Sequence, residues 1–392
     1  MTAPFSVPRY DAVVVGARCA GAATAMLLAR RGARVLLVDR DPVPGDTLST
    51  HALMRPAVAL LDAWGLLTAI AGAGTPPVRQ TRFVYGDEVV ELPVAPVGRA
   101  EGLYAPRRTL LDPVLRDAAW DAGAEVRLGV SFEDVTRDGS GRVTGAVLRT
   151  RSGARVPVTA DIVIGADGRL SAVAEAVDAR MIAHAETRCA TVYGYVPGVP
   201  NEGYRWFFAP GLAGGAIPTT GGDHCVFLSC PPGEAGARFG PDARAGLACG
   251  LARWDADLAE GVRRTAPRLR RYAGAPGHIR DCAGPGWALV GDAGFFKDPM
   301  TAHSIRDALL DAHRLTAALA GPGAAAYQTA RDAHASALLD ITHRIAALDL
   351  PLDALKALHI DLARCIKAEG SALAADLAPQ HHRRARRPTT RR

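Results

Sequence analysis

The stretch VVVGARCAG, residues 13–21, decides the fold, because an apolar run ends there in a glycine turn. DAVVVG (11–16) predicts a buried strand, AGAATAMLLARRG (20–32) an alanine-rich helix, and ARVLLVD (33–39) a second buried strand. Strand, turn, helix and strand in this order form a βαβ half-unit. The turn is typical of a dinucleotide-binding fold, although Arg18 stands where such a turn usually has its middle glycine.

The residue types of this unit suit an anionic nucleotide. Gly16 allows the tight turn after the strand, and Gly21 allows the helix to pack closely on the strand. N–H groups at the helix start favour a pyrophosphate, and Arg18 adds a guanidinium beside them. Asp39 lies at the end of the second strand, where a carboxylate accepts ribose hydroxyls. The predicted nucleotide-binding residues here are Gly16, Arg18, Gly21, Asp39 and Arg40.

Two later motifs repeat the pattern of a buried strand that ends in a glycine turn. DIVIGADGRLSAV (161–173) delivers Asp167 and Gly168 to a loop before a helix. WALVGDAG (287–294) delivers Gly291 and Asp292. A loop and a long helix predicted from about 303 to 319 follow, and the start of that helix suits an anionic ring.

These three motifs, together with RTLLD at 108–112, resemble the flavin-dependent group A monooxygenases related to p-hydroxybenzoate hydroxylase, over about residues 10–320. The resemblance implies that the dinucleotide is FAD. It places an arginine on the FAD phosphates, a second polar residue along the FAD, an aspartate on the ribitol, and backbone N–H groups facing the flavin. Besides the first unit, the implied FAD-binding residues are Arg55, Arg108, Asp167, Gly168, Gly291, Asp292, Ser304 and Ile305.

The resemblance also implies an activity. NADPH or NADH reduces the flavin, and one oxygen atom of O₂ is then transferred to the substrate. The substrate class is an electron-rich aromatic or polycyclic small molecule, which is hydroxylated or epoxidised, as in bacterial secondary metabolism such as antibiotic biosynthesis. The loop expected beside the flavin ring, residues 299–304, is called the ring loop below. In this loop the chain departs from the family, since Thr301 and Ser304 stand where we expect glycines.

Candidate catalytic and substrate-binding residues come from the same resemblance and from residue type. His51 and His303 are possible acid–base groups, and Pro299 matches the loop proline beside the flavin ring. For the aromatic candidates, core packing is an equally good explanation. The spacing of histidines and carboxylates supplies no convincing metal site. The substrate-binding candidates are Met54, Tyr193, Trp206, Phe208, Phe295 and Phe296.

Two other functions stay open. GYRWFFAP (203–210) resembles the Y-x-W-x-F-P pattern of geranylgeranyl reductases, with one extra residue before the proline. Such an enzyme reduces prenyl double bonds with FAD and uses no O₂. A non-catalytic flavin-fold protein with a binding role is the third possibility, because glycines around the flavin ring are replaced.

The order of motifs predicts an α/β fold. Its FAD-binding Rossmann-like domain is built from separated segments, with an inserted, mostly antiparallel β substrate domain and a helical C-terminal region. The predicted FAD-binding segments are 1–75, 99–180 and 281–378, the last with the C-terminal helices. The substrate segments are 76–98 and the β-rich 181–280, and a disordered basic tail follows at 379–392.

Composition limits the remaining possibilities. The chain has 392 residues, 48% of them hydrophobic, and a net charge of +6. Six arginines in HHRRARRPTTRR (381–392) account for that charge, which argues against a nucleic-acid partner. Seven scattered cysteines without a CxxC pair favour reduced thiols and a cytoplasmic location. No apolar run is long enough for a membrane span, and we expect a monomer or homodimer.

Overall fold

The structure is a computed structural model that describes residues 8–43, 45–265 and 268–377, so the predicted tail at 379–392 lies outside the described residues. Its strands, in chain order, are β1 (Arg9–Val15), β2 (Val35–Asp39), β3 (Gln80–Tyr85), β4 (Glu88–Pro93), β5 (Glu125–Leu128), β6 (Ser131–Arg137), β7 (Val143–Arg149), β8 (Arg155–Gly165), β9 (Met181–Ala185), β10 (Ala190–Pro197), β11 (Tyr204–Ala209), β12 (Leu212–Pro218), β13 (Asp223–Cys230), β14 (Arg270–Tyr272), β15 (Gly277–Arg280), β16 (Ala283–Gly284), β17 (Trp287–Leu289) and β18 (Phe295–Phe296).

Helices lie mainly in the first half and at the C-terminal end. They are α1 (Cys19–Ala29), α2 (Arg55–Ala63), α3 (Leu67–Gly72), α4 (Arg108–Asp121), α5 (Ala172–Ala176), α6 (Ala235–Phe239), α7 (Ala243–Leu251), α8 (Ala256–Thr265), α9 (Ser304–Leu319), α10 (Ala324–Ala346) and α11 (Leu352–Leu377). Short 3₁₀ turns at Gly291–Ala293 and Pro299–Thr301 flank the loop before α9.

The first sheet is the nucleotide-binding sheet. Its strand order is β16-β17-β8-β1-β2-β5, and β7 joins β8 to β6 at the side. The central pairs β1–β2, β1–β8 and β17–β8 are parallel, so their carboxyl ends meet at one edge. Helix α1 is buried almost all round between this sheet, α4 and α9, which explains its alanine-rich composition.

The second sheet is mostly antiparallel and has seven strands in the order β14-β10-β13-β12-β11-β3-β4. Only β11 and β3 run parallel within it, because β3 and β4 come from an earlier segment of the chain. Along β11 the side chains alternate between two cores. Tyr204, Trp206 and Phe208 pack toward the nucleotide-binding domain, whereas Phe207 and Ala209 pack under α6, α7 and α8.

These two sheets confirm the predicted architecture of a segmented FAD-binding domain with an inserted, mostly antiparallel sheet. The predicted substrate segment 76–98 contains the hairpin of β3 and β4, with Gly86 and Asp87 as its turn. The predicted β-rich segment 181–280 also contains the helices α6, α7 and α8. The small sheet β18-β15-β9 was not predicted, because its strands are short and pair segments about 90 residues apart in the chain, as β9 and β15 do.

Candidate active site

The candidate site lies where three strand ends of the first sheet converge. β1 ends at Val15 before Gly16, β8 ends at Gly165 before Asp167, and β17 ends at Leu289 before Asp292. In open α/β sheets such carboxyl ends form the ligand-binding edge. A cleft of about 370 Å³ opens there.

The glycines of the first turn are required by close backbone contacts. Gly16 has φ +104°, and a Cβ on it would lie 2.3 Å from the Ala166 carbonyl oxygen. A Cβ on Gly21 would lie 1.8 Å from the Gly16 carbonyl oxygen. Any larger side chain at either position would push β1, α1 and the loop after β8 apart. Gly16 lines the cleft, while Gly21 allows α1 to pack closely on the turn.

Asp39 shapes the mouth of the cleft. Its Oδ2 accepts a hydrogen bond from the Ala17 N–H at 2.7 Å, and its Oδ1 accepts one from the Asp41 N–H at 2.8 Å. A carboxylate has further lone pairs, so these two bonds leave it able to accept a ribose hydroxyl. Arg18 is half-exposed and pairs with Asp41 at 3.1 Å. Arg18 therefore keeps a cation at the start of α1 without blocking the turn.

The floor of the cleft carries a second cation. Arg108, at the start of α4, makes a two-pronged ion pair with Asp112, at 2.9 and 3.0 Å. The Cys19 thiol donates to the same carboxylate at 3.2 Å, and burial raises the pKa of that thiol, which stays protonated. Arg108 lines the cleft and is held in place by these contacts.

The loop after β8 contributes Asp167 and Gly168. Asp167 accepts hydrogen bonds from the Ser171 hydroxyl at 2.6 Å and the Val173 N–H at 3.2 Å, so its carboxylate caps the short helix α5. Gly168 has φ +83°. Both residues line the cleft, and the cap fixes the loop that forms one of its sides.

The third strand end supplies a buried carboxylate. Burial raises the pKa of Asp292 to about 6, while the Lys297 and Arg108 cations oppose that rise. Facing it, the start of α9 presents Ser304 and Ile305, and no acceptor for their N–H groups lies among the described residues. A carboxylate beside free helix N–H groups suits a neutral polyol next to an electron-rich ring.

This donor set fits FAD. The glycine cradle and the start of α1 match a pyrophosphate, Asp39 matches a ribose, and Asp292 with the start of α9 matches ribitol and the flavin pyrimidine. The predicted cofactor residues that line the cleft are Gly16, Arg18, Asp39, Arg40, Arg108, Asp167, Gly168, Asp292, Ser304 and Ile305.

Arg55 is placed elsewhere. Its guanidinium donates to the carbonyls of Ala95 at 2.7 Å and Pro96 at 3.5 Å, and it lines a different cavity. The geometry gives no support to the expectation that Arg55 reaches the FAD phosphates. Gly291, with φ +62°, turns the chain before Asp292, and its N–H donates to Asp311 at 2.9 Å.

A larger apolar cavity of about 710 Å³ lies on the other side of the ring loop. Trp206 and Phe208 of β11, together with Met54, form part of its wall. The loop itself contributes Met300, Thr301 and His303. His303 lines this cavity and the next residue, Ser304, lines the cleft, so the ring loop lies between the two spaces.

A third, small space of about 40 Å³ lies beside Pro299 and Met300. Tyr193 lines it, and the Tyr193 hydroxyl is buried without a hydrogen-bond partner among the described residues. Asp298 begins the 3₁₀ turn that holds Pro299 and accepts from the Met300 N–H and the Cys189 thiol, both at 3.0 Å. Tyr193 and Pro299 thus lie together next to the loop.

Three of the predicted catalytic and substrate-binding residues lie outside these spaces. His51 is buried with φ +65°, and its Nε2 is 2.7 Å from the Tyr195 hydroxyl, which gives it a structural partner. Phe295 and Phe296 form β18, which pairs with β15 and is buried in the core. The lysine after them, Lys297, forms a buried ion pair with Asp307 that holds this segment down.

Two features of the site escaped the sequence analysis. The residue of the ring loop with a left-handed backbone is Ala302, at φ +55° and ψ +37°, rather than Thr301 or Ser304. A large part of the cavity wall comes from α11, through residues such as His359, Leu362 and Ile366. Residue type alone does not reveal an alanine with a left-handed backbone. The spacing of apolar residues along α11 is the signal that could have indicated a helix face packed against another element.

The described part of the chain holds no group of His, Cys, Asp and Glu side chains arranged to bind a metal ion. Among the helices of that same part, none is both long enough and apolar enough to cross a membrane.

Comparison with known proteins agrees with this geometry. The family described as FAD binding domain matches residues 9–242. Menaquinone reductase of Mycolicibacterium smegmatis is 29% identical over 369 residues, which cover 87% of this chain and 84% of the relative. A putative polyketide hydroxylase of Streptomyces halstedii is 31% identical over 186 residues, which cover 43% of this chain and 33% of the relative.

Among solved structures, P. aeruginosa PqsL in complex with 2-aminobenzoylacetate superimposes with a TM-score of 0.75. It covers 90% of this chain and 99% of PqsL at 20% identity. At that identity the likeness shows the fold alone.

Proposed function

Because this chain belongs to the FAD binding domain family and is an FAD-dependent oxidoreductase, we propose that it is a monooxygenase of apolar aromatic or polycyclic small molecules. NADPH or NADH is the proposed reductant and O₂ the proposed oxidant. One oxygen atom enters the substrate and the other leaves as water, with the two electrons supplied by the nicotinamide. The polyketide hydroxylase among the relatives supports a polycyclic substrate and a place in secondary metabolism.

The observation that carries the proposal is that the cleft and the apolar cavity lie on the two sides of the ring loop. Consecutive residues, His303 and Ser304, line the two spaces. A cofactor whose ring reaches the start of α9 therefore meets a substrate held in the cavity. When bound, FAD supplies the redox chemistry and the activation of O₂.

The residues of the chain do the rest. Gly16, Arg108, Asp39 and Asp292 hold and orient the cofactor, and the helix start at Ser304 favours negative charge on the flavin pyrimidine. Trp206 and Phe208 exclude water from the substrate side. His303 faces the cavity with its pKa lowered by burial and by the Arg306 and Lys297 cations, so it is a neutral imidazole able to move a proton.

A test begins with the FAD-loaded protein, NADPH or NADH, and a panel of phenolic and polycyclic compounds. We expect substrate-dependent O₂ uptake, and label from ¹⁸O₂ in the organic product. O₂ uptake that yields only hydrogen peroxide for every compound would contradict the proposal. The matched variant His303→Gln should slow product formation while it keeps FAD bound, because the side chain faces the cavity and not the cleft.

A reductase that uses no O₂ is the second candidate. The menaquinone reductase among the relatives supports it. The apolar cavity supports it as well, because its lining extends from the ring loop to Gly370 and Ala374 of α11. Anaerobic reduction of a prenylated quinone, followed by mass spectrometry of the product, separates the two. A gain of two hydrogens without oxygen would favour the reductase.

A further inference from the structure

The part of the cavity wall that α11 forms contains a polar side chain whose position is fixed by its contacts. Leu362 and Ile366 supply apolar surface there, and His359 lies among them on the same wall. α11 lies beyond the part of the chain that the family match covers. His359 lies outside the matched residues and does not line the cofactor cleft.

Aromatic rings fix the position of His359. Its ring centroid lies 4.7 Å from that of Phe208, 5.8 Å from that of Tyr85 and 6.0 Å from that of Phe83. One turn earlier on α11, Lys356 forms an ion pair with Glu88 of the β3–β4 hairpin. The imidazole is thus held against the second sheet, and its placement does not depend on a single flexible contact.

A hydrogen bond sets the protonation of the ring. The Tyr85 hydroxyl and the His359 Nδ1 are 3.0 Å apart. A phenol is a better donor than a neutral imidazole, so the hydroxyl donates to Nδ1 and the ring proton resides on Nε2. Burial lowers the pKa of His359 to about 4, which keeps the ring neutral at ordinary pH. The bond to Tyr85 is made by Nδ1, and the ring lines the cavity with its Nε2 not used in that bond.

We propose that His359 is a specificity-determining residue, whose Nε2–H donates a hydrogen bond to a carbonyl oxygen of an apolar ligand in this cavity. Tyr85 is the positioning residue that fixes the ring. The ligand class is an uncharged aromatic ketone or quinone. The neutral imidazole favours an uncharged acceptor at its own position beside Phe208, although the cations Arg55 and Lys367 line the same cavity.

The inference rests on the proposed function only for the idea that substrate occupies this cavity, and its test needs no turnover. FAD-loaded, oxidised protein without nicotinamide is equilibrated by dialysis against 2-acetylnaphthalene or 2-isopropylnaphthalene. The two probes have nearly the same shape, but only the first carries a carbonyl. Dissociation constants are measured for wild type, His359→Phe, His359→Gln and Tyr85→Phe, with thermal unfolding as the check of folding.

We expect His359→Phe to weaken binding of 2-acetylnaphthalene about tenfold, the usual size of one buried hydrogen bond, and to change 2-isopropylnaphthalene binding less than twofold. His359→Gln, which keeps an N–H donor, should restore most of the loss. Tyr85→Phe should weaken the ketone about threefold, since the ring then adopts either tautomer.

Equal weakening of both probes in His359→Phe would assign the histidine to packing and overturn the proposal. No change in either probe, or failure of both to bind wild type, would overturn it as well. These outcomes are independent of O₂ uptake. If the protein discriminates between the two probes but makes no oxygenated product, the inference about His359 stands and the proposed monooxygenase function is wrong.

Discussion

Asp39 combines two tasks at the residue scale. Its carboxylate holds the N–H groups of Ala17 and Asp41, and it is also the acceptor offered to a ribose. Asp39→Ala removes a charge-assisted acceptor and loosens the turn. We predict FAD binding weaker by about 10- to 100-fold, from roughly 1.5–3 kcal/mol for a hydrogen bond to a charged group. Fluorescence titration of apo protein with FAD measures it.

Asp161→Ala is the matched control for that titration. Asp161 forms an exposed ion pair with Arg9 at 2.9 Å and does not line the cleft, so its removal should change FAD affinity less than threefold. If Asp39→Ala binds FAD as tightly as wild type, the ribose assignment fails.

Ala302 is the strained residue of the ring loop. Its φ of +55° is left-handed, which costs an alanine roughly 1 kcal/mol relative to glycine. Glycine also increases the freedom of the unfolded chain, which offsets about half of that gain. We therefore predict that Ala302→Gly stabilises the protein by about 0.5 kcal/mol in urea unfolding.

Ser304→Gly tests the same loop without that strain. Ser304 is the first residue of α9, so glycine there should lower stability by a few tenths of a kcal/mol or more. A stabilised Ser304→Gly combined with a destabilised Ala302→Gly would show that the strain lies at residue 304. In FAD titrations, we still expect Ser304→Gly to bind more tightly, because the serine Cβ occupies space beside the flavin.

At the scale of elements, α11 is held on α9 by buried charges. Arg306, fully buried on α9, forms ion pairs with Glu369 of α11 and with Asp307, the latter at 2.7 Å. Arg314 adds a second contact to Glu369 at 3.1 Å. Glu369→Ala leaves a buried guanidinium with one partner fewer, so we predict a loss of about 3–5 kcal/mol in chemical unfolding.

An exposed pair on the same helix provides the control for that variant. Asp361 and Arg364 are 2.8 Å apart, with side chains 50% and 75% exposed, and Asp361→Ala should cost less than about 1 kcal/mol. The double variant Glu369→Leu/Arg306→Met removes both charges and should recover much of the loss. A Glu369→Ala protein as stable as wild type would mean that water or movement of α11 compensates the arginine.

The separation in sequence between contacting elements explains which parts of the site the sequence could predict. The units β1–α1–β2, β8 with its loop, and β17 with α9 each carry their signal within about 30 residues, and Asp39, Asp167 and Asp292, which were predicted from these units, line one cleft. The contact of Tyr85 with His359 joins residues 274 positions apart. Local patterns hold no information on such pairs, and for this reason the α11 wall of the cavity was not foreseen.

Arg55 illustrates a different limit. A motif match placed it on the phosphates from its position at the start of a helix, yet its carbonyl partners are Ala95 and Pro96 in the segment after β4. The direction of a long side chain depends on whichever acceptors the neighbouring loop offers. Residue type and spacing therefore do not determine which acceptors a long arginine side chain reaches.

At the scale of the whole molecule, the cofactor cleft is assembled from three distant segments, and Asp292 is the buried carboxylate among them. Burial raises its pKa from 3.8 to about 6. Between those two pH values the folded protein binds the proton more tightly than the unfolded chain. The charged carboxylate therefore lowers stability progressively from pH 4 to pH 6, and by a constant amount above that.

Asp292→Ala should reverse this effect in the apo protein. Two pKa units correspond to about 3 kcal/mol, so the variant should be more stable than wild type by up to that amount at pH 8, and equal to it near pH 4. Arg108 and Lys297 keep their own partners, Asp112 and Asp307, and are not left unpaired. Thermal unfolding at both pH values measures the difference. Asp117→Ala, with a side chain 68% exposed, is the control and should show no such pH dependence.

The same variant should lose the stabilisation that FAD gives to wild type. A ligand that bridges three segments and binds only the folded state adds about 4 kcal/mol at a concentration 1,000 times its dissociation constant. We expect a large FAD-dependent rise in Tm for wild type and little or none for Asp292→Ala, because the carboxylate facing α9 is the group predicted to hold the ribitol. The stability of the apo fold and the affinity for the cofactor thus oppose each other at this residue. An Asp292→Ala protein that is less stable than wild type as apo protein, yet still gains the full rise with FAD, would show that the carboxylate serves the fold and not the cofactor.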